Sequence, residues 1–306
     1  MKNVVIGASG QVARALRNEF AKHGESVVFT SSKPSAEQFL NLSDLASIDS
    51  FFAKQSLAAG AHIYLVGALT HVDRCETEQA LCRAINVLGP VRVGEICAKR
   101  GYKLCYFSSE YVYGEAEYQG GRVGPFLETD PAAPTSYYGA SKLEAEQLLQ
   151  KIPSLDLLVI RTTMVFSFDQ DGMNYFMQLF RHLQKLERGE ASPTFKIPVD
   201  QISTPTYAPA LAQATIALMQ MEMGIFHVVG EDCLSRKAFL ERICQEFGFS
   251  KEKYLPGIEF LETKQLGQAA KRPLTAGLSV EKAKRAGVRI WNLAEAFQEI
   301  RTLQKS

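Results

Sequence analysis

The chain has 306 residues, of which 46% are hydrophobic and 22% charged, with a formal net charge of +1 at pH 7. That length allows one large domain or two ordinary ones around a well-buried core, and the composition excludes a disordered or fibrous protein. A near-neutral charge gives no case for a nucleic-acid or membrane-surface partner.

No transmembrane run is visible, and the start, Met1-Lys2-Asn3-Val4-Val5-Ile6-Gly7, breaks into glycine and polar residues too soon for a signal peptide. Six cysteines (75, 82, 97, 105, 233, 244) include no Cys-x-x-Cys pair, and five histidines are scattered. This usage implies reduced, mostly buried thiols in a cytoplasmic protein, with no metal-ligand spacing.

Residues 2–6 form an apolar run of strand type ending in Gly7-Ala8-Ser9-Gly10-Gln11-Val12-Ala13. An amphipathic helical pattern follows through Leu16 and Phe20 to His23-Gly24. Strand, glycine turn and helix in this order are the setting in which Gly-x-x-Gly-x-x-small cradles a dinucleotide phosphate. Gly7 makes the tight turn, Gly10 lets a pyrophosphate approach the backbone beside Ser9, Gln11 and Val12, and Ala13 permits close helix packing. An ordinary strand-to-helix turn is the other reading.

The strand at 26–29 runs into Thr30-Ser31-Ser32-Lys33. NAD-specific sites usually carry an acid near this point for the ribose hydroxyls. Hydroxyls and an ammonium at Ser31, Ser32 and Lys33 suit the 2′-phosphate of NADP instead, so NADP(H) is the expected cofactor and NAD the alternative. A plain polar loop is the competing reading of the same residues.

Asn41-Leu42-Ser43-Asp44 reads as a loop and an N-cap for a helix through Phe51-Phe52. Residues 61–66 are the third strand, ending in Gly67-Ala68-Leu69, small residues that let the chain pass close to a cofactor. Thr70-His71-Val72-Asp73-Arg74-Cys75-Glu76 starts another helix, with His71 a loop or packing histidine. A long helix over 84–100 and a fourth strand over 103–107 follow.

At that strand's end stands Ser108-Ser109-Glu110-Tyr111-Val112-Tyr113-Gly114. Open α/β sheets bind ligands at the carboxyl ends of their strands, so Ser109 faces the crevice, where it can stabilise charge on a substrate carbonyl oxygen. A turn serine is the other reading. A loop over 119–134 leads to Ser136-Tyr137-Tyr138-Gly139-Ala140-Ser141-Lys142 and a helical run to Gln150. Tyr138 and Lys142, four positions apart, share one helix face. The ammonium is expected to lower the phenol's pKa and ready it for general acid–base work, unless the two are simply surface neighbours.

A strand at 156–160 ends at Arg161-Thr162-Thr163. Beyond Val165 come a helix over 173–186, a short strand over 195–199, a helix over 205–221 and a strand over 225–229. A serine-capped helix over 235–247, an irregular stretch over 251–273 and a closing helix over 293–303 complete the chain. The expected fold class is α/β, a Rossmann-type doubly wound parallel sheet over 1–165, joined by 195–225. A smaller, mainly C-terminal α+β substrate-binding portion spans 166–194 and 226–306.

The glycine turn, Ser109 and Tyr138-x-x-x-Lys142, in this order, resemble an extended short-chain dehydrogenase/reductase. Over nearly the whole chain the resemblance narrows to the dTDP-4-dehydrorhamnose reductase-like branch. It is carried by Thr70 to Glu76, Asn86-Val87, Ser108 to Tyr113, Arg161-Thr162-Thr163-Met164-Val165-Phe166, Asp200-Gln201-Ile202-Ser203-Thr204-Pro205-Thr206, and Lys271-Arg272-Pro273 leading to Leu278.

The resemblance implies hydride transfer from nicotinamide to the C4 keto group of a nucleotide-linked sugar, with Tyr138 as the acid. Lys142 would hold the nicotinamide ribose, Ser109 would polarise the carbonyl, and Asn86 would support the helix and a reprotonating water path. Asn41, Leu42, Gly67, Ala68 and Leu69 fall to the cofactor. Thr70, Val72, Ser109, Glu110 and Met164 fall to the substrate. Arg272 suits its diphosphate, with a solvated surface arginine as the equal alternative. Met164 stands where the rhamnose-pathway reductase typically has tryptophan, so an aromatic platform for the sugar is missing. Ala8-Ser9 likewise replace a lysine-threonine pair. A homodimer is compatible with the branch, and the chain shows no local signature for the divalent metal that some members hold. Two other readings share the branch or superfamily. One is an NADP-binding regulatory subunit like the methionine adenosyltransferase β-subunit, the other a sugar-nucleotide epimerase. Dehydratases carry an Asp-Glu pair where this chain has Glu110-Tyr111.

Overall fold

The computed structural model describes residues 3–114, 123–169, 172–221 and 223–304. Lys2, residues 119–122 of the expected loop, and Asp171 lie outside the described residues.

The first half alternates strand and helix: β1 (Asn3–Ile6), α1 (Gln11–Lys22), β2 (Val27–Thr30), α2 (Leu45–Lys54), β3 (His62–Leu65), α3 (Val72–Thr77), α4 (Gln79–Arg83), α5 (Gly89–Arg100), β4 (Lys103–Ser109), α6 (Tyr137–Gln150) and β5 (Asp156–Thr162). The remainder holds β6 (Val165–Phe166), α7 (Tyr175–Glu187), β7 (Phe195–Pro198), β8 (Ile202–Ser203), β9 (Thr206–Tyr207), α8 (Ala208–Met221), β10 (Gly224–His227), β11 (Leu234–Ser235) and α9 (Arg236–Phe247). It closes with α10 (Lys251–Tyr254), β12 (Ile258–Leu261), α11 (Glu281–Arg285) and α12 (Leu293–Leu303).

Six strands form one sheet in the order β10-β5-β4-β3-β1-β2, and every pairing is parallel. Parallel strands buried on both faces read as continuous apolar runs, and these do. Val4, Ile6, Ile63, Leu65, Leu104 and Tyr106 pack beneath Phe51 and Phe52 of α2, Val93 of α5 and Leu149 of α6. Their neighbours Val5, Tyr64, Cys105, Leu158 and Ile160 point the other way, onto Leu16 and Phe20 of α1 and Leu211 and Leu218 of α8. Burying each such side chain contributes about 1.5–3 kcal/mol. Strand order reverses between β1 and β3, and that switch opens a crevice at the strands' carboxyl ends.

A separate aromatic core lies in the C-terminal half, where Phe166, Phe176, Phe180, Phe239 and Phe297 pack together. It is crossed by the parallel pair β7–β12. Here the structure departs from expectation. The stretch over 251–273, expected to be irregular, contributes β12, because Ile258 and Leu261 bury while Glu259 stays exposed. The strand expected over 195–199 pairs with β12, not with the main sheet. The boundary expected at 225/226 falls inside β10, which is paired with β5 from Gly224 to His227.

Local signals placed most helix starts. Asp44, Ser136, Asn174, Ser235 and Asn292 each cap a helix by accepting a backbone N–H. Capping by Asn174 moves the start expected at 173 to Tyr175, and β9 moves the one expected at 205 to Ala208. The helix expected over 84–100 opens instead as a π-helical segment, Ala84–Leu88, before α5. Among the described residues no helix is long and apolar enough to cross a membrane.

Candidate active site

The glycine turn is shaped by one close approach. Gly7 has φ +104°, and a Cβ built there would lie 2.7 Å from the Gly67 Cα. Only glycine fits such a φ beside another backbone. Gly67 is therefore small because it packs on Gly7 and against the Leu42 side chain, not because it borders the crevice. Gly10 differs: it caps α1 with its backbone, and a Cβ there would meet nothing within 4 Å. The first turn of α1 holds no acidic residue, so its N–H groups present an uncompensated positive end.

Above that end lies a cleft of about 360 Å³. Of the residues singled out from the sequence, Gly10, Gln11, Val12, Ala68, Thr70, Val72, Ser109, Tyr138, Lys142 and Met164 line it. Gln11 also reaches across the crevice, donating from Nε2 to the Val165 carbonyl at 2.8 Å.

Tyr138 and Lys142 enter from the first turns of α6. The Ser136 hydroxyl caps that helix, and the Tyr137 N–H donates to Glu76 Oε1 at 2.7 Å, which ties α6 to α3. Both side chains are buried. Lys142 Nζ donates to the Phe107 carbonyl at 2.8 Å and lies over the Tyr106 ring. Burial lowers its pKa to about 8, against the raising influence of Glu146. The Tyr138 phenol moves opposite to expectation: burial raises its pKa, and the Ser109 hydroxyl offsets this only in part. Desolvation of the phenolate dominates, and the nearby ammonium is committed to the Phe107 carbonyl. A neutral phenol is a proton donor. Ser109 Oγ accepts the Tyr111 N–H at 3.3 Å, and the neighbouring Ser108 Oγ is buried without a hydrogen-bond partner among the described residues.

Several residues singled out from the sequence lie elsewhere. Glu110 is fully buried and turned off the crevice, accepting hydrogen bonds from Thr163 and from Ser203 at 2.9 Å, and burial raises its pKa. It is a bolt between strand ends, not a substrate contact. Asn86 sits in the π-helical segment, where its amide accepts the Leu69 N–H at 2.8 Å and donates to the Leu69 carbonyl at 3.1 Å. It also donates to Ser141 Oγ at 3.2 Å, so it fixes the 67–69 loop on α6 without touching the cleft. The wide π turn aims it there. Leu42 is a core residue, and the Asn41 side chain is taken up by the Ser43 N–H and hydroxyl. Ser31 closes a small turn by accepting the Lys33 N–H, and Ser32 and Lys33 are exposed beyond β2. His71, a loop residue, caps α3 through Nδ1.

A second cavity, about 330 Å³, adjoins the first and shares Tyr111, Met164 and Val165 with it. Met164 has φ +42°, which turns the chain sharply at this shared wall and costs a non-glycine residue about 1–2 kcal/mol. Three cations line the second cavity: Lys196, Arg236 and Arg272. Arg272 is already engaged, with Nη2 on Asp73 at 2.6 Å, Nε on Gln268 and Nη1 on the Tyr111 hydroxyl at 3.4 Å. Arg236 stacks over Tyr175, and its Nη1 is buried without a hydrogen-bond partner among the described residues. Sequence reasoning missed Arg236 and Lys196. One signal was available: an arginine directly after the Ser235 cap opposes the helix dipole, so α9 carries it at a local cost. Among the described residues no cluster of three or more His, Cys, Asp or Glu could hold a metal ion.

The profile of the RmlD substrate binding domain matches residues 1–303. The spore coat polysaccharide biosynthesis protein SpsK of Bacillus subtilis is 28% identical over 97% of this chain and 96% of its own. The dTDP-4-dehydrorhamnose reductase of Mycobacterium tuberculosis is 27% identical over 96% of this chain and 90% of its own. A crystal structure of dTDP-4-dehydrorhamnose reductase from Bacillus anthracis in complex with NADP superposes with a TM-score of 0.82 at 22% identity, covering 100% of this chain and 99% of the other.

Proposed function

This chain belongs to the RmlD substrate binding domain family of extended short-chain dehydrogenases/reductases, and on that premise we propose that it reduces the 4-keto group of a nucleotide-activated deoxy sugar with NADPH. The observation that carries the reading is the meeting of Tyr138, Lys142 and Ser109 in one cleft that Gly10 also lines.

Three features fit NADP(H) to that cleft. A Cβ at Gly10 would project into free space, the N-terminal turn of α1 has no acid, and Ser108 offers a buried unpaired hydroxyl. The backbone from Gly7 through Ser9 and Gly10 to Gln11 and Val12 would hold the pyrophosphate, and Ser31, Ser32 and Lys33 the 2′-phosphate. Ala68 and Leu69, with Asn41, Leu42 and Gly67 behind them, would border the nucleoside, and Lys142 the nicotinamide ribose. When bound, the nicotinamide supplies the hydride.

The chain's own residues supply the rest. Ser109 orients the keto oxygen by hydrogen bonding, and Tyr138 donates its phenolic proton to that oxygen as it gains negative charge. The resulting phenolate is stabilised by the Ser109 hydroxyl and the Lys142 cation. Asn86, holding the 67–69 loop to α6, keeps these groups in register. Arg236, Lys196 and Arg272 gather the substrate diphosphate, because guanidinium forks match phosphate oxygens. Thr70, Val72 and Met164 border the sugar. We place the cofactor portion at 1–165 with α8 and β10, and the substrate portion at 166–194 and 228–306.

NADPH oxidation followed by absorbance, with dTDP-4-dehydro-6-deoxy sugars made in situ, tests the reading. Tyr138→Phe is expected to lose roughly 10²–10⁴-fold in kcat while keeping NADPH affinity. Turnover retained in the variant would remove Tyr138 as the acid. Absent turnover in the wild type with NADPH still bound would favour a binding-subunit role, and inversion without net oxidation an epimerase.

A further inference from the structure

Of the three residues that line both cavities, Tyr111, Met164 and Val165, one carries a polar side chain, and the reaction above does not use it. Tyr111 lines both, and each of its parts has a different partner. Its backbone N–H is held by Ser109 Oγ at 3.3 Å. Its carbonyl lies so close to Gly139 that a Cβ there would stand 2.0 Å away, so the strand end is seated on the first turn of α6. With the backbone pinned at both atoms, only the ring can respond to its surroundings. That ring packs edge to face on Tyr138, with centroids 5.5 Å apart and planes at 77°. Its hydroxyl accepts from Arg272 Nη1 at 3.4 Å.

Arg272 is itself poised between alternatives. Its Nη2 donates to Asp73 Oδ2, while Asp73 Oδ1 accepts the Ala270 N–H at 2.9 Å. An anion in the cationic cavity competes with Tyr111 and Asp73 for the same fork, and the guanidinium must turn to meet it. Any such turn changes the partner of the Tyr111 hydroxyl and, through the ring contact, the orientation of Tyr138.

We propose that Tyr111 is a positioning residue that couples anion binding at Arg272 to the orientation of the Tyr138 phenol. This rests on the reading of the second cavity as the diphosphate site. Binding energy from the remote diphosphate then appears in kcat as well as in affinity, which is how non-reacting parts of a substrate promote chemistry.

The test uses protein labelled with ¹³C at the tyrosine Cζ, with the Tyr138 resonance assigned by its loss in Tyr138→Phe. Thymidine diphosphate is titrated into wild type and Tyr111→Phe, and its binding is followed in parallel by calorimetry. In wild type the Tyr138 resonance should shift on saturation. In Tyr111→Phe the nucleotide should still bind, but the shift should vanish. Steady-state kinetics should show a kcat lower by roughly 10- to 100-fold with KM nearly unchanged. A shift that survives in Tyr111→Phe, or a variant in which only KM rises, overturns the coupling. Nucleotide binding that leaves Tyr138 unmoved in wild type overturns it while sparing the diphosphate site. Failure of wild type to bind the nucleotide removes both.

Discussion

The cofactor cleft and the cationic cavity are nearly equal in size, about 360 and 330 Å³, and share a wall, yet they are assembled in different ways. The cleft is built at the switch between β1 and β3 from short motifs at the ends of strands of the one sheet and from the start of α6. The cavity draws Tyr111, Met164, Lys196, Arg236 and Arg272 from five places in the chain, and its walls depend on the β7–β12 pair and the aromatic core. Chemistry common to many reductases sits where local geometry dictates it. Under the proposed function, recognition of a particular substrate sits where packing can vary.

The sharpest way to break this contrast is at the glycines. In Gly7→Ala the new Cβ meets the Gly67 backbone at 2.7 Å with φ at +104°, and neither backbone can yield. Urea unfolding should show a loss of at least about 2 kcal/mol, together with weakened NADPH binding. Gly10→Ala should leave stability within about 0.5 kcal/mol while still weakening NADPH, since its Cβ enters open cleft. Equal stability of the two variants would refute the close-approach account.

A middling effect is expected at Arg236. Arg236→Met removes a cation whose Nη1 is buried without a partner, so thermal denaturation should show Tm unchanged or higher. Loss of charge-assisted phosphate contacts should raise KM roughly 10- to 100-fold. A fall in Tm with unaltered KM would make Arg236 a packing residue.

The smallest effect is in pH dependence. Burial holds Lys142 at about 8, below its ordinary 10.5, so its cation is lost as pH rises through about 8. The raised Tyr138 stays protonated over the same range. The profile of kcat/KM should therefore fall by up to about tenfold per unit above pH 8, through Lys142 and not Tyr138. Stability moves the other way. The unfolded chain binds the extra proton between pH 8 and 10.5, so the unfolding free energy rises there, and Lys142→Met should abolish that rise. A kcat/KM profile flat across this range would contradict the placement of the cation.

What was legible from residues follows the same division. Gly10, Tyr138, Lys142 and Ser109 could be named because each lies within a few residues of a strand end or helix cap. Glu110 was misread because an acid beside Ser109 looks accessible in sequence, whereas the chain leaves the strand in a 3-10 turn after Ser109 and the Glu110 side chain is buried on Thr163 and Ser203. The phenol's shift was misread in sign, since four-residue spacing sets proximity but says nothing about burial.

By itself the sequence determined the alternation of strand and helix, the caps at Asp44 and Ser235, and the order of the reductase motifs. These are matters of periodicity and of hydrogen bonds spanning three or four residues. Only the tertiary structure decided that Gly67 serves Gly7, that Glu110 bolts Thr163 to Ser203, and that Arg236 faces a cavity beside Tyr111. Those relations join residues separated by 53 to 125 positions. Desolvation and close approach act through space, and no local pattern encodes them.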